Sequence, residues 1–225
     1  MCTSDGIIYP GYEYKHKGNN DNNDIILPSI EEQISKQTTE CKKTLVVFIG
    51  GAADYKFQPL LKQVFAPYEK AYGRGINRLQ DVCYSEHGGG NVPPLMKKWS
   101  DANQDIVLVG HSWGGDRAIK LAEKNSNIPI KLLVTLDPVS WGKNGKQPKP
   151  SNVERWINVY VDYKHADYSE PNIVARAGHP WQFCENADKN HSINTKDGKK
   201  VNNAGHAHVY DMFDKSGVEY EVVKL

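Results

Sequence analysis

Several features that would place the chain in a specialised class are missing from its sequence. No apolar run reaches the roughly 18 residues that a membrane-spanning helix needs, and the N-terminus lacks the basic and then apolar pattern of a secretory signal. Lys and Arg number 28 against 27 Asp and Glu, and a net charge of +1 creates no field that would attract nucleic acid. We therefore expect a protein that is cytoplasmic, or exported by a signal-independent route, and that has no nucleic-acid partner.

Cysteine is also scarce. The four cysteines, Cys2, Cys41, Cys83 and Cys184, form no C-x-x-C pair, which argues against a zinc knuckle and against a redox dithiol. Reduced thiols are therefore the expectation. Cys2 follows the initiator Met and precedes a polar segment, as the lipid-bearing cysteine of a lipoprotein does, but a coincidence at the start site is the favoured interpretation.

The chain does contain short apolar runs that alternate with helical periodicity. Four runs have the length and β-branched character of strands buried on both faces: Thr44–Ile49, Ile106–Val109, Lys131–Leu136 and Trp156–Val161. Apolar residues at helical spacing follow the first two runs, and Pro67 is expected to limit the first helix. The alternation predicts an α/β fold, with a mainly parallel central sheet, helices on both faces and no large cap domain.

Residues 1–43 differ in character from the rest of the chain. They include Gly18-Asn-Asn-Asp-Asn-Asn-Asp24, a run of turn formers that is too polar for a core element. We expect a polar, partly mobile N-terminal segment over residues 1–43. One domain over residues 44–225 follows, because no linker or internal repeat divides this stretch.

The strongest local signal is Gly110-His-Ser-Trp-Gly114, which stands between an apolar strand and a helix. A sharp turn at this point holds Ser112 exposed above the sheet, and glycines on either side let the backbones approach closely. The motif in this setting resembles the nucleophile elbow of the α/β-hydrolase superfamily, and the resemblance covers most of the chain after Thr44. It implies that Ser112 is the nucleophile of a triad in the chain order Ser, acid, His.

Two aspartates compete for the role of the acid. Asp137 stands at the tip of the next strand, in Leu-Asp-Pro138, a position that resembles the acid site of pancreatic-type lipases. Asp162 closes the following strand and occupies the location that is commoner in the superfamily. Asp137 is the favoured candidate because Pro138 forces a turn that fixes its carboxylate at the strand end.

Three histidines in the last part of the chain compete for the role of the base. His206 fits best, because Gly205-His-Ala-His208 reads as a loop before a helix, which is where the superfamily has its histidine. His208 would already belong to the first helical turn, and His191 is the third candidate. The resemblance also assigns the oxyanion hole to two backbone N–H groups, which map onto Ala52 and Trp113.

Two other motifs favour different chemistry. Ser140-Trp-Gly-Lys143 matches the S-x-x-K pattern of β-lactamase-like enzymes, but the partner S-D-N and K-T-G segments are absent. His206-Ala-His208 is similar to the start of a binuclear metallohydrolase motif, but Val209 and Tyr210 stand where a further Asp and His should follow. We therefore expect neither a metal nor an organic cofactor.

The segment between the acid and the base is rich in aromatic and basic side chains. Lys143, Lys146 and Lys149 are candidates to meet lipid phosphates, or else they form a solvated loop. The aromatic side chains are candidates to wall an acyl pocket or to form a mobile cover, although half of them could instead pack against the sheet. They are Trp141, Trp156, Tyr163, Tyr168, Trp181 and Phe183.

These features are together similar to those of small bacterial lipases, including antibacterial phospholipases that contractile secretion systems deliver without a signal segment. The resemblance implies a serine hydrolase that cleaves carboxylic esters of lipids or phospholipids through an acyl-enzyme. It also implies transient contact with a membrane surface and, if the protein is such an effector, an immunity or secretion partner. A thioesterase, a small-ester carboxylesterase and a non-catalytic binding module of this fold are the alternatives.

Overall fold

A six-stranded parallel sheet forms the centre of the computed structural model, which describes residues 42–52, 58–73, 80–88, 90–142 and 144–225. Its strands, in chain order, are β1 (Thr44–Gly50), β2 (Gln80–Glu86), β3 (Asp105–His111), β4 (Ile130–Leu136), β5 (Val153–Tyr160) and β6 (Lys189–Ser192). They lie in the order β2-β1-β3-β4-β5-β6, and each neighbouring pair is parallel.

Helices occupy both faces of this sheet. The α-helices are α1 (Ala66–Tyr68), α2 (Val92–Asp101), α3 (Trp113–Lys124), α4 (Glu170–Ala177) and α5 (Val218–Val223), and π-helical segments run over Leu61–Phe65, Glu69–Gly73 and Asp211–Lys215. The predicted α/β class, with a parallel central sheet and helices on both faces, is thus confirmed. No helix within the described ranges is both long enough and apolar enough to span a membrane.

The sheet separates two apolar layers. Leu45 and Ile49 of β1 point into the layer that α2 and α3 cover, whereas Phe48 points into the layer that contains Val64 and Phe213 from helical segments of the opposite face. Because side chains alternate along a strand, a strand covered on both faces must be apolar throughout. This requirement explains why the continuous apolar runs of the sequence became the central strands.

Three local features differ from the sequence-based expectations or were not predicted. Pro67 does not end the first helix, which continues to Gly73. The hydrogen-bond pattern changes from π to α at Ala66, so this irregularity of the helix coincides with the proline, which has no N–H to donate. Helix α4 and strand β6 were not predicted at all.

A small antiparallel hairpin follows the sheet. It pairs β7 (Thr195–Lys196) with β8 (Lys199–Lys200) around Asp197 and Gly198, which both have positive φ angles, of 51° and 72°. Two consecutive positive φ angles define the tight turn that Asp-Gly sequences favour. By itself, Lys43–Leu225 forms one compact unit, whereas residues 1–41 lie outside the described residues.

Candidate active site

Ser112 lies in a strained turn between β3, which ends at His111, and α3, which begins at Trp113. Its φ of 58° and ψ of −127° are angles that residues with a side chain rarely adopt. Three backbone hydrogen bonds hold this conformation. The Ser112 N–H donates to Leu136 O at 3.0 Å, and Ser112 O accepts from the N–H groups of Gly115 at 2.9 Å and Val139 at 3.2 Å.

Two glycines make this turn sterically feasible. A Cβ atom on Gly110 would lie 2.2 Å from the carbonyl oxygen of Gly114, and a Cβ atom on Gly114 would lie 2.0 Å from the carbonyl oxygen of Ile49. Both distances are far below van der Waals contact, and both neighbours are backbone atoms that cannot move aside alone. The close approach of β1, β3 and α3 therefore requires glycine at both positions.

Asp137 is the residue that follows β4, and its side chain is fully buried. Hydrogen-bond donors surround the carboxylate. Val161 N–H donates to Oδ1 at 3.1 Å, and the Tyr163 hydroxyl donates to Oδ2 at 2.5 Å. His206 Nδ1 lies 2.6 Å from the same Oδ2. These donors satisfy a buried carboxylate that would otherwise be costly to ionise.

His206 joins the carboxylate to the serine. Its Nδ1 faces Asp137 Oδ2, and its Nε2 lies 3.0 Å from Ser112 Oγ. An ionised carboxylate only accepts hydrogen bonds, so Nδ1 carries the proton and Nε2 presents its lone pair to the serine hydroxyl. The Ser112 hydroxyl therefore donates to Nε2. This is the geometry in which an imidazole can take the proton of a serine nucleophile.

The other candidate acid and bases lie away from this cluster. Lys164 N–H donates to Asp162 Oδ1, and the exposed His208 accepts at Nδ1 from Gly205 N–H at 2.9 Å. His191 lies on β6, where burial, followed by the positive charge of Lys189, lowers its pKa. Of these three candidates, none lines the cavity described below.

The H-x-H pair does not form a metal-binding cluster. Both ring nitrogens of His206 contact Asp137 and Ser112, whereas His208 turns its Nδ1 toward its own loop. Among the described residues, no group of three or more His, Cys, Asp or Glu side chains is placed to hold a metal ion.

Two residues that sequence reasoning missed hold the His206 backbone. Asn172, buried on α4, accepts the His206 N–H at Oδ1 over 2.8 Å. His111 donates from Nε2 to His206 O over 3.0 Å, and the centres of the two rings are 4.7 Å apart. Burial, and then the charge of His206, lower the pKa of His111 well below its usual value, so His111 stays neutral.

The two expected oxyanion-hole residues border the same cavity as Ser112. Trp113 is the first residue of α3, and the first N–H groups of a helix have no acceptor within that helix. Positive helix-dipole charge concentrates at this end as well, so the site favours a developing negative charge. Ala52 is the last described residue before the gap at 53–57, and the role of both residues stays a prediction.

A cavity of about 580 Å³ opens above the serine and is lined by Ser112 and His206. Helix α4 forms one wall of this cavity. The apolar lining residues are Ala52, Pro59, Trp113, Val139, Trp141, Pro171, Val174, Ala175, Ala177 and Ala207.

Most of the predicted aromatic wall lies elsewhere. Only Trp141 of the six aromatic candidates lines the cavity, while Trp156 and Trp181 are buried in the core. Tyr168 and Phe183 are exposed on the surface, and Tyr163 contacts Asp137.

Two of the three candidate phosphate-binding lysines have carboxylate partners. Lys146 Nζ lies 4.0 Å from Glu185 Oε1, and Lys149 Nζ lies 2.9 Å from Asp188 Oδ1. Neither lysine lines the cavity, and Lys143 lies outside the described residues. The lysines therefore add no support for a phosphate-bearing substrate.

Comparison with solved structures finds a protein from Lactobacillus plantarum WCFS1 that is provisionally named a cell surface hydrolase. Its chain is 9% identical, the match covers 79% of the present chain and 92% of that chain, and the TM-score is 0.45. No family model and no curated protein matches the sequence. At so low a similarity, function must be argued from the site's own geometry.

Proposed function

We propose that the protein is a serine hydrolase that cleaves carboxylic ester bonds of lipids, phospholipids included, through an acyl-enzyme. One observation carries this proposal: Ser112, His206 and Asp137 form an unbroken hydrogen-bond chain, with contacts of 3.0 Å and 2.6 Å, on an apolar cavity. A strained, glycine-flanked serine beside an imidazole that can accept its proton is an activated nucleophile.

The chemistry follows from the contacts. Ser112 Oγ bonds to the acyl carbon while its proton passes to His206 Nε2, and the carbonyl electron pair moves onto the oxygen. The N–H groups of Ala52 and Trp113 would stabilise this oxyanion. Collapse of the intermediate breaks the bond to the alcohol, and Nε2 returns the proton to the departing oxygen.

Hydrolysis of the acyl-enzyme repeats these steps with water as the nucleophile. His206 removes a proton from the water, whose oxygen bonds to the acyl carbon. Return of the proton to Ser112 Oγ releases the carboxylic acid. In both halves of the reaction, Asp137 stabilises the transient imidazolium and fixes its orientation through Nδ1.

The surface around the cavity supports a lipid substrate. Helix α4 buries polar Asn172 and leaves Ile173 at 50% and Val174 at 58% exposed. Trp141, 69% exposed, and Val174 also line the cavity, so the exposed apolar surface continues into the site. Such a rim suits an alkyl chain that leaves a membrane or micelle, and it is where we expect the proposed transient contact with a membrane surface.

The decisive assay compares matched substrates on the wild-type protein and Ser112→Ala with a chelator present. Short-chain and long-chain esters, a phosphatidyl lipid and an acyl thioester are offered, and active-site labelling uses a fluorophosphonate. We expect labelling of Ser112 and a preference for long-chain esters. Absence of labelling would favour the non-catalytic binding module, and preference for the thioester or for short esters would favour those two enzyme classes.

Two valines of equal exposure allow the rim of the cavity to be compared with another part of the surface. Val174 and Val201 are each 58% exposed, but only Val174 borders the cavity. Val174→Asp should reduce hydrolysis of a vesicle-borne lipid more than hydrolysis of a soluble short ester, whereas Val201→Asp should change neither. Equal effects of the two substitutions would contradict an apolar rim that meets lipid.

A further inference from the structure

Tyr163 contacts the proposed triad, but the reaction just described does not use it. Its hydroxyl donates to Asp137 Oδ2 over 2.5 Å, the same oxygen that lies 2.6 Å from His206 Nδ1. We propose that Tyr163 is a positioning residue that competes with His206 for Asp137 Oδ2 and so lowers the pH at which His206 becomes an active base. The kinetic form of this proposal depends on the proposed function.

The phenol of Tyr163 is held firmly in place. Arg176 of α4 donates from Nη2 to the carbonyl oxygens of Tyr163 and Ala166, each over 3.1 Å, and its guanidinium carbon lies 5.1 Å from the centre of the Tyr163 ring. Burial, and then the negative charge of Asp137, raise the pKa of Tyr163 far above its usual value. The hydroxyl therefore stays protonated, and remains a donor, in the neutral pH range in which His206 is expected to titrate.

The competition between Tyr163 and His206 for Asp137 Oδ2 should change the pKa of His206 in one direction. A carboxylate oxygen that already accepts a hydrogen bond attracts an imidazolium less strongly than one that does not. Removal of the Tyr163 hydroxyl would leave Asp137 with less of its charge satisfied, so protonation of His206 would become more favourable. The pKa of His206 would rise, and the acid limb of kcat/KM, which requires neutral His206, would move to higher pH.

The other groups near the pair do not change in this comparison. His111 packs against the His206 ring and is neutral, Glu170 lines the cavity from α4, and His208 bonds within its own loop. Arg176 is the cation that faces the Tyr163 ring. Replacing a phenol with a phenyl ring leaves all four groups in place.

The first test measures the pH dependence of kcat/KM for a soluble ester in wild-type protein, Tyr163→Phe and Tyr160→Phe. Tyr160 is the matched control, because it lies at the end of the neighbouring strand β5 and packs on Phe183 with its ring centre 6.4 Å away. We expect the acid limb of Tyr163→Phe to move up by about one pH unit. Tyr160→Phe should match the wild type.

The second test does not depend on an ester substrate. Side-chain ¹⁵N NMR follows the titration of His206, assigned with His206→Asn, in wild type and in Tyr163→Phe. A rise of the His206 pKa supports the proposal even if no ester is hydrolysed, in which case only the proposed function fails. An unchanged or lowered pKa, or a fall in kcat with no shift of the acid limb, would overturn it.

Discussion

His111 donates its Nε2 hydrogen to the carbonyl oxygen of His206 over 3.0 Å, although 95 residues separate the two positions in the chain. The residue before the proposed nucleophile thus holds the backbone of the proposed base. Asn172 binds the other side of the same residue through the His206 N–H. The position of the imidazole is therefore fixed by its backbone as well as by Asp137.

The buried His111 gives the protein a specific pH dependence of stability. Because its folded pKa is depressed, the folded protein does not take up a proton on His111 as the unfolded chain does below about pH 6.5. The free energy of unfolding should fall as pH decreases through this range, with a slope of up to about 1.4 kcal/mol per pH unit from this residue.

Denaturant titrations between about pH 7.5 and about pH 5, a range that brackets the usual pKa of histidine, check this contribution. His111→Gln should weaken the pH dependence, while His179→Gln, at an exposed histidine, should leave it as in the wild type. A pH dependence that is identical in all three proteins would show that His111 titrates equally in the folded and unfolded states.

Substitution of Ser112 should separate chemistry from backbone strain. Ser112→Ala should reduce kcat by on the order of 10⁴-fold, because water is a poor replacement nucleophile. The fold should stay intact. Ser112→Gly should be equally inactive but more stable than Ser112→Ala by about 1 kcal/mol, since glycine adopts a positive φ without strain. Turnover assays and thermal unfolding of the two variants measure both effects.

The two proposed partners of Ser112 can be tested against their nearest alternatives. Asp137→Asn and His206→Ala should each reduce kcat/KM by about 10³-fold or more, because each breaks the chain that prepares the serine. Asp162→Asn and His208→Ala should cost less than about tenfold, since neither residue contacts that chain. If the severe and mild pairs came out exchanged, the assignment of acid and base would be wrong.

Trp141 is expected to determine which substrates fit. It packs edge-on against Trp113 with ring centres 5.4 Å apart, and it borders a second cavity of about 330 Å³ that Asp116, Arg117 and Lys120 also line. Trp141→Ala would open the apolar cavity toward these charged side chains. The KM for long-chain esters should rise by about tenfold, and that for short esters should change little.

A matched control for this variant is Tyr220→Ala, at a 71% exposed aromatic residue of α5. It should leave KM unchanged for all chain lengths. Both variants should keep the thermal unfolding midpoint near that of the wild type, because each removed side chain is mostly exposed. Equal chain-length profiles for wild type and Trp141→Ala would exclude Trp141 as a wall of the acyl site.

The parts of the fold that could be predicted are those in which burial imposes a pattern. Strands β1, β3 and β4 are apolar on both faces. The carboxyl ends of the neighbouring strands β3 and β4 place Ser112 and Asp137 close together. Strand β6, by contrast, has the sequence Lys-Asn-His-Ser and is only partly buried at the edge of the sheet, so it has no apolar signal. The hairpin could have been found from Asp197-Gly198 alone.

Helix α4 could not be predicted because it buries a polar residue beside Ala175 and exposes two large apolar ones. A helix that packs on a core normally buries its apolar residues, yet here Asn172 is inside and Ile173 and Val174 are outside. The reversal has a physical reason in the contacts of Asn172, whose Nδ2 donates to Asp167 Oδ1 at 2.7 Å while its Oδ1 accepts from His206. The contact with His206 depends on a part of the chain that is 34 residues away.

Hydrogen bonds from α4 connect one wall of the cavity with the residues of the proposed triad. Asn172 holds the backbone of His206, and Arg176 holds Tyr163, which bonds to Asp137, while Val174 of the same helix lines the cavity. Because α4 forms one wall of the cavity, we expect a molecule wider than the opening to press on this helix. Displacement of α4 would disturb His206 through Asn172 and Asp137 through Tyr163, so we expect binding of a large molecule and reactivity of the proposed triad to be coupled.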